Sequence, residues 1–152
     1  MQRLKSQSKR ASAELLAHIR EIEAKEWRVK DEAARHIALL HYEHGRAKTR
    51  LRIAMEDNLA NVQDTQIRMD IKGRYRRQIE EAQTTYESQE AETRIQREEQ
   101  LNKLKDEKAA AQQLYNEQMA DIDEQRSKLL SEFVEKKTKL LEQQNQENND
   151  QE

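Results

Sequence analysis

The amino-acid sequence predicts an all-α protein built as a long, antiparallel, two-helix coiled coil. Apolar residues recur every eleven positions in the first half of the chain, as in Val29, Leu40, Leu51 and Val62. Two less pure rows run beside this one: Ala11, Ile22, Ala33, His44 and Met55; and Leu15, Glu26, Ile37, Lys48 and Leu59. Eleven residues make three turns at about 3.67 residues per turn, so such a row lies nearly parallel to the axis of one helix. The chain also lacks Pro and is rich in strong helix formers. The two halves have opposite net charge, which favours pairing of one half with the other.

The charge asymmetry is large although the whole chain is nearly neutral. Residues 1–77 hold 18 Lys and Arg against 11 Asp and Glu, whereas residues 78–152 hold 10 against 19. Exposed ion pairs contribute little stability individually. We therefore expect the charges to select the orientation of the helices more than to stabilise them.

Composition argues against a compact globular domain. Hydrophobic residues make up 34% of the chain and charged residues 38%, whereas typical domains are about half apolar and about a quarter charged. The absence of Cys excludes disulfides and thiolate metal sites. No apolar run approaches the roughly 18–20 residues that span a bilayer, and the N-terminus lacks the apolar core of a signal peptide. We expect a soluble cytoplasmic protein, with export directed from elsewhere left open.

The first half predicts one long helix. Residues 1–12 are basic and Ser-rich and are expected to fray, and residues 13–69 carry the eleven-residue rows. Gly45 interrupts this stretch, but a lone Gly costs a helix only about 1 kcal/mol relative to Ala. Since the rows continue beyond Gly45 to Val62, we predict no break at that position.

The rows fail after Val62, and residues 70–77 are predicted to be a basic bend or crossing point. The next row positions hold Gln66, Asp70 and Gly73, none of which suits an apolar seam. The same stretch contains a basic cluster that is a candidate contact for a partner or a phosphate group: Lys72, Arg74, Arg76 and Arg77.

The second half predicts a second long helix over residues 78–141, acidic and with heptad spacing interrupted by one stutter. The tail, residues 142–152, has no apolar residue and is expected to be disordered. The predicted helix-pairing seam consists of Leu15, Ile22, Val29, Ile37, Leu40, Leu51, Met55, Val62, Leu101, Leu104, Tyr115, Ile122, Leu129, Phe133 and Leu140.

Reflection of the chain about residue 72 matches the two halves of the seam. It places Leu15 opposite Leu129 and Leu40 opposite Leu104, and its centre falls where the rows fail and the charge changes sign. A helical hairpin bending near residues 70–74 satisfies this match, as does an antiparallel dimer of continuous helices. A parallel coiled-coil rod also buries the seam and remains an alternative.

Candidate chemistry is sparse. His41 and His44 lie three residues apart, where two imidazoles can share a divalent metal. No third ligand follows at helical spacing. We therefore expect His41 and His44 to be polar interruptions of the seam, and we expect neither a metal nor a cofactor. As such interruptions they could loosen helix pairing below about pH 6. A Gly-rich phosphate loop and a Cys nucleophile are both missing, so we expect no enzyme and no small-molecule substrate.

No motif identifies a family. In architecture alone, a Pro-free chain of two long antiparallel helices is similar to the small stalk proteins of type III export ATPases. Its eleven-residue rows are similar to those of rotary-ATPase peripheral stalks. These likenesses imply a stalk-type component that engages a motor or secretion complex through the bend.

The function predicted first is a non-enzymatic structural or adaptor coiled coil, acting as a spacer and protein-docking rod in a larger assembly. Its protein partners are unidentified, and a homo-oligomer is possible. A rod associated with nucleic acid or membrane is a further alternative. It is disfavoured because the cations wind around the helix instead of gathering on one side.

Overall fold

The computed structural model describes residues 1–151, and this part of the chain contains two long helices and no strand. Helix α1 spans Gln2–Leu59 and helix α2 spans Thr65–Asp150. The all-α prediction is confirmed. The helices extend into both ends that were predicted to be irregular, over residues 2–12 and 142–150. The last residue, which was assigned to the disordered tail, lies outside the described residues.

The chain divides into two compact units. Unit 1 combines Met1–Glu23 with Asp106–Glu152, and unit 2 is Ala24–Lys105. Each unit contains a stretch of α1 and a stretch of α2.

The turn between the helices lies in unit 2, at residues 60–64. Asp64 caps the start of α2, because its Oδ1 accepts a hydrogen bond from the backbone N–H of Ile67 at 3.1 Å. The Arg68 guanidinium donates to the carbonyl oxygens of Leu59 and Val62, at 2.9 and 2.8 Å. The Leu59 carbonyl is one that the end of α1 leaves without a helical partner, and the Val62 carbonyl lies in the turn. The side chains of Asp64, which precedes α2, and of Arg68, near the start of α2, therefore close the connection.

The predicted bend near residues 70–74 is wrong, because these residues lie inside α2. Gly73 has no positive φ, and a helix tolerates its cost of about 1 kcal/mol. The chain reverses instead where Asp64 and Arg68 supply bonding partners for the free backbone groups. The sequence signal was Asp64 followed by Thr65 and Gln66, a typical helix start, within the stretch that had been assigned to the first helix.

Contacts in unit 2 define how its two helical stretches are paired. His44 Nε2 lies 2.6 Å from Gln83 Oε1, and His41 Nδ1 lies 3.3 Å from the Tyr86 hydroxyl. A step of three residues backwards on α1 thus matches a step of three residues forwards on α2. This order fits a helical hairpin.

Contacts in unit 1 contradict the reflection about residue 72. Ser12 Oγ lies 3.3 Å from the Tyr115 hydroxyl, and Ser8 Oγ donates to Met119 Sδ at 3.7 Å. The reflection had placed Leu129 near this part of α1. Two seams with similar spacing agree in several registers, so the position of the turn decides which register forms.

The eleven-residue rows of α1 are the face that is turned inwards. Every row member between Ala11 and Val62 is buried or half-buried, and Ile22 is only 1% exposed. The inward positions include polar side chains, namely Glu26, His44 and Lys48. Position in the row therefore predicts burial better than hydrophobicity does.

The inward positions of helix α2 also recur every eleven residues. The sequence had predicted heptad spacing with one stutter for this helix. Two of its rows are buried or half-buried throughout: Tyr75, Tyr86, Arg97, Lys108 and Met119; and Ala82, Thr93, Leu104, Tyr115 and Arg126. The polar members of these rows kept the pattern hidden in the sequence.

Candidate functional site

The predicted seam residues fall into two groups in the structure. Twelve are buried or half-buried: Leu15, Ile22, Val29, Ile37, Leu40, Leu51, Met55, Val62, Leu101, Leu104, Tyr115 and Ile122. The remaining three, Leu129, Phe133 and Leu140, are exposed. These three lie on α2 beyond the stretch that α1 covers.

A polar cluster interrupts the inner face of unit 2. The His44 ring stacks on the Tyr86 ring with centroids 4.7 Å apart and an interplanar angle of 8°. The His41 ring is tilted against the same tyrosine, with centroids 6.0 Å apart. Tyr86 thus occupies the centre of the cluster and contacts both imidazoles.

Two groups of the cluster have shifted pKa values. Burial raises the pKa of Tyr86 above 10.0, and its hydrogen bond to the Glu90 carboxylate adds to the effect. The pKa of Glu90 is lowered from 4.5, chiefly by the hydrogen bond from Arg94, whose Nη2 donates to Glu90 Oε1 at 2.6 Å. The environment therefore favours a neutral phenol beside an ionised carboxylate.

The two histidines considered as metal ligands are engaged within this cluster. Among the described residues no group of three or more His, Cys, Asp or Glu is placed to hold a metal ion. His41 and His44 instead contact Tyr86 and Gln83. A polar layer of this kind can fix the register of a helix pair.

Unit 2 also brings together two basic segments. Residues 44–55 of α1 and residues 71–79 of α2 contain no Asp or Glu. The Asn58–Tyr75 and His44–Gln83 hydrogen bonds place these segments alongside one another. We call their eight cations the basic belt: Arg46, Lys48, Arg50, Arg52, Lys72, Arg74, Arg76 and Arg77.

The basic belt has two flanks. Successive residues lie about 100° apart around a helix. The angle between each cation and the inward positions of its helix therefore shows on which side of the pair the cation lies. One flank contains Lys48, Arg52, Lys72 and Arg76. The other contains Arg46, Arg50, Arg74 and Arg77, of which Arg46 and Arg77 lie towards the outer faces of their helices. Cations that wind around a single helix are therefore gathered, four by four, once two helices lie together. Both basic segments can be seen in the sequence, but only the register shows that they lie alongside each other.

The belt cations have no carboxylate partner within the part of the chain that the structure describes. The contacts that they do make involve uncharged groups. The Arg46 guanidinium lies 5.7 Å from the centroid of the Tyr42 ring, and Arg77 Nε donates a long, 3.4 Å hydrogen bond to the Gly73 carbonyl. Eight like charges with no carboxylate in direct contact create a positive potential that attracts anions.

A second surface lies in unit 1, on α2 beyond residue 126. Six large apolar side chains within thirteen residues are between 43% and 66% exposed. We call them the C-terminal stripe: Leu129, Leu130, Phe133, Val134, Leu140 and Leu141. Sequence reasoning placed three of them in the seam and therefore missed their exposure.

Comparison with family models, curated proteins and solved structures gave no significant match. The helices of the described part include none with the length and apolarity needed to cross a membrane. The assignment of function therefore depends on the two surfaces.

Proposed function

We propose that the chain is a non-enzymatic structural adaptor, a helical-hairpin spacer that docks a protein partner through the basic belt. The single observation that carries this proposal is the set of eight cations without a carboxylate partner. Gathering like charges costs free energy, which an acidic partner can offset by supplying counter-charges.

The chemistry of the belt favours an acidic protein segment. Six of the eight cations are Arg, whose planar guanidinium binds a carboxylate through two hydrogen bonds. Four cations on each flank suit a run of Asp and Glu on a partner helix or loop. The capped turn nearby, with Asp64 and Arg68, holds the two basic segments side by side.

The proposal is tested by neutralising one flank at a time. The first variant carries Lys48→Gln, Arg52→Gln, Lys72→Gln and Arg76→Gln, and the second carries Arg46→Gln, Arg50→Gln, Arg74→Gln and Arg77→Gln. A matched control removes four exposed cations outside the belt: Lys5→Gln, Lys9→Gln, Lys136→Gln and Lys139→Gln. Affinity capture from nuclease-treated cell extract is compared for all three, with helicity checked by circular dichroism.

We expect at least one flank variant to lose proteins that the wild type and the control both retain. Equal capture by all variants, at equal helicity, contradicts docking through the belt. A stalk-type component that engages a motor through the turn gives a different result. It keeps its partner in both flank variants and loses it when Asn61 and Gln63, exposed in the turn, are replaced.

A nucleic-acid-associated rod is the second candidate, because the same unpaired cations can contact phosphates. Four phosphate contacts predict that the logarithm of the affinity for duplex DNA falls with the logarithm of salt concentration with a slope of about −3.6. Neutralising one flank should abolish this slope if that flank makes the contacts. Capture that disappears on nuclease treatment favours this candidate over a protein partner.

A further inference from the structure

The C-terminal stripe continues the face of α2 that α1 covers in unit 1. Met119, Ile122 and Arg126 are buried or half-buried on that face. Eleven residues further on, the same rows hold Leu130, Phe133 and Lys137, all of which are exposed. The row pattern thus extends beyond the helix that covers it.

The stripe lies beyond the stretch of α2 that is covered by α1, which begins at Gln2. Helix α1 has 58 residues and α2 has 86. Met1, at the end of the covering segment, lies beside Leu129, Leu130 and Phe133 around a space of about 350 Å³. Clustered apolar side chains of this kind, left in water, mark an interaction surface.

We propose that the C-terminal stripe is covered by the same segment of a second copy of this chain, running antiparallel to it. The stripe continues the covered face of unit 1, so its cover should be another helix on that face. The occupant is a helix that follows the direction of α1, opposite to α2. A two-fold axis perpendicular to α2 gives the second copy that direction without further conditions.

The spacing of the stripe is self-complementary. A two-fold axis at residue 135 places Leu129 opposite Leu141 and Leu130 opposite Leu140, at both ends of the contact. The stripe therefore maps onto itself without leaving either leucine pair uncovered. The last apolar residue of the second copy then lies at the level of residue 129, beyond the buried contacts of α1. The polar residues after position 141 then reach the levels of α2 that α1 already covers, so the pairing requires them to leave the helix.

Lys137 favours the antiparallel arrangement over a parallel one. It occupies a row position between Phe133 and Leu141. In a parallel, in-register pair the two Lys137 ammonium groups would meet in the seam and repel each other. In the antiparallel pair Lys137 lies opposite Phe133, where its aliphatic stem covers the ring and its ammonium group faces the π electrons.

The first test is the mass of the full chain in solution. Sedimentation equilibrium across a hundredfold range of concentration should give twice the chain mass of 18.1 kDa at the upper end. The variant Leu130→Gln, Phe133→Gln, Leu141→Gln should remain at 18.1 kDa. A matched control places the same change at three exposed apolar residues of unit 2, Ile67→Gln, Met69→Gln and Ile95→Gln, and should still dimerise.

Orientation is tested with single cysteines, since the chain has none of its own. A mixture of Leu130→Cys and Leu140→Cys chains should form a mixed disulfide between the two variants. Each variant alone should form a disulfide-linked homodimer only if the pair is parallel.

The proposal is overturned if the wild type stays monomeric, if the stripe variant dimerises as well as the control, or if homodimer disulfides dominate. None of these outcomes affects docking at the basic belt, which lies in unit 2 and has its own variants. Failure of one proposal can therefore be distinguished from failure of the other.

Discussion

The polar cluster around Tyr86 shows how single residues replace apolar packing in unit 2. His44 lies in a row of α1 and fills its place by stacking on Tyr86, whereas Gln83 supplies the partner for its ring nitrogen. Glu90 is held by Arg94 one turn away. Because each polar group has a partner, the layer avoids the cost of unsatisfied buried groups and favours one register.

The two shifted pKa values predict opposite limits of stability on the pH axis. The pKa of Glu90 is lowered from 4.5, so its contribution to stability is complete above pH 4.5 and is lost as the pH falls below it. The pKa of Tyr86 is raised from 10.0, so its contribution is complete below pH 10.0 and is lost as the pH rises further. Thermal melts of the wild type, Glu90→Gln and Tyr86→Phe across this range measure both effects.

We expect Tyr86→Phe to reduce chiefly the alkaline loss. Glu90→Gln should reduce chiefly the acid loss, and also part of the alkaline loss, because the Glu90 carboxylate helps to raise the pKa of Tyr86. Other carboxylates also titrate in acid, so the difference between variant and wild type is the quantity to compare. Parallel curves for the wild type and Glu90→Gln would show that the Arg94 contact contributes nothing.

Replacing either helical glycine, Gly45 or Gly73, by Ala should raise the stability of the protein. A Cβ built at Gly45 or at Gly73 meets no heavy atom within 4 Å, and neither residue has a positive φ. Ala in place of a helical Gly stabilises by about 1 kcal/mol. Urea unfolding of Gly45→Ala and Gly73→Ala should therefore show midpoints higher than that of the wild type. A loss of stability confined to Gly73→Ala would instead support the bend that the sequence predicted at residues 70–74.

At the scale of the helices, the turn depends on caps and not on glycine. Replacing Asp64 by Ala removes the acceptor for the Ile67 N–H and should cost about 1 kcal/mol in urea unfolding. The matched control is Asp70→Ala, within α2, where only the side-chain bond from Gln66 is lost. That loss should cost a few tenths of a kcal/mol, about 0.2–0.5. Equal effects of the two substitutions would show that Asp64 does not cap α2.

The sequence predicted helices and inner faces better than connections. The rows of α1 depend on spacing alone, and Ile22 and Leu40, which periodicity selected, are buried. The turn depends on a few hydrogen bonds by Asp64 and Arg68, whose strength no periodicity reveals. Because register follows from the turn, the opposing residues and the combined basic belt could not be predicted either. The exposure of Phe133 has the same origin, since an earlier turn leaves α2 longer than α1.

At the scale of the whole molecule, the register of unit 1 leads to a prediction that separates the two pairing schemes. Ser8 Oγ lies 3.7 Å from Met119 Sδ, so cysteines at these two positions should form an intramolecular disulfide under mild oxidation. The pair Leu15→Cys and Leu129→Cys, which the reflection about residue 72 places in contact, should not. Non-reducing electrophoresis at low protein concentration separates a linked 18.1 kDa chain from linked dimers.

The second pair is also informative about self-association. Position 129 belongs to the C-terminal stripe, so its cysteine lies opposite residue 141 of the second copy and not opposite residue 15. Adding Leu141→Cys on a separate chain should therefore produce a linked dimer with Leu129→Cys as the concentration rises. An intramolecular bond between positions 15 and 129 would contradict both the register of unit 1 and the exposure of the stripe. One set of cysteine variants thus tests how the chain pairs with itself and how it pairs with its copy.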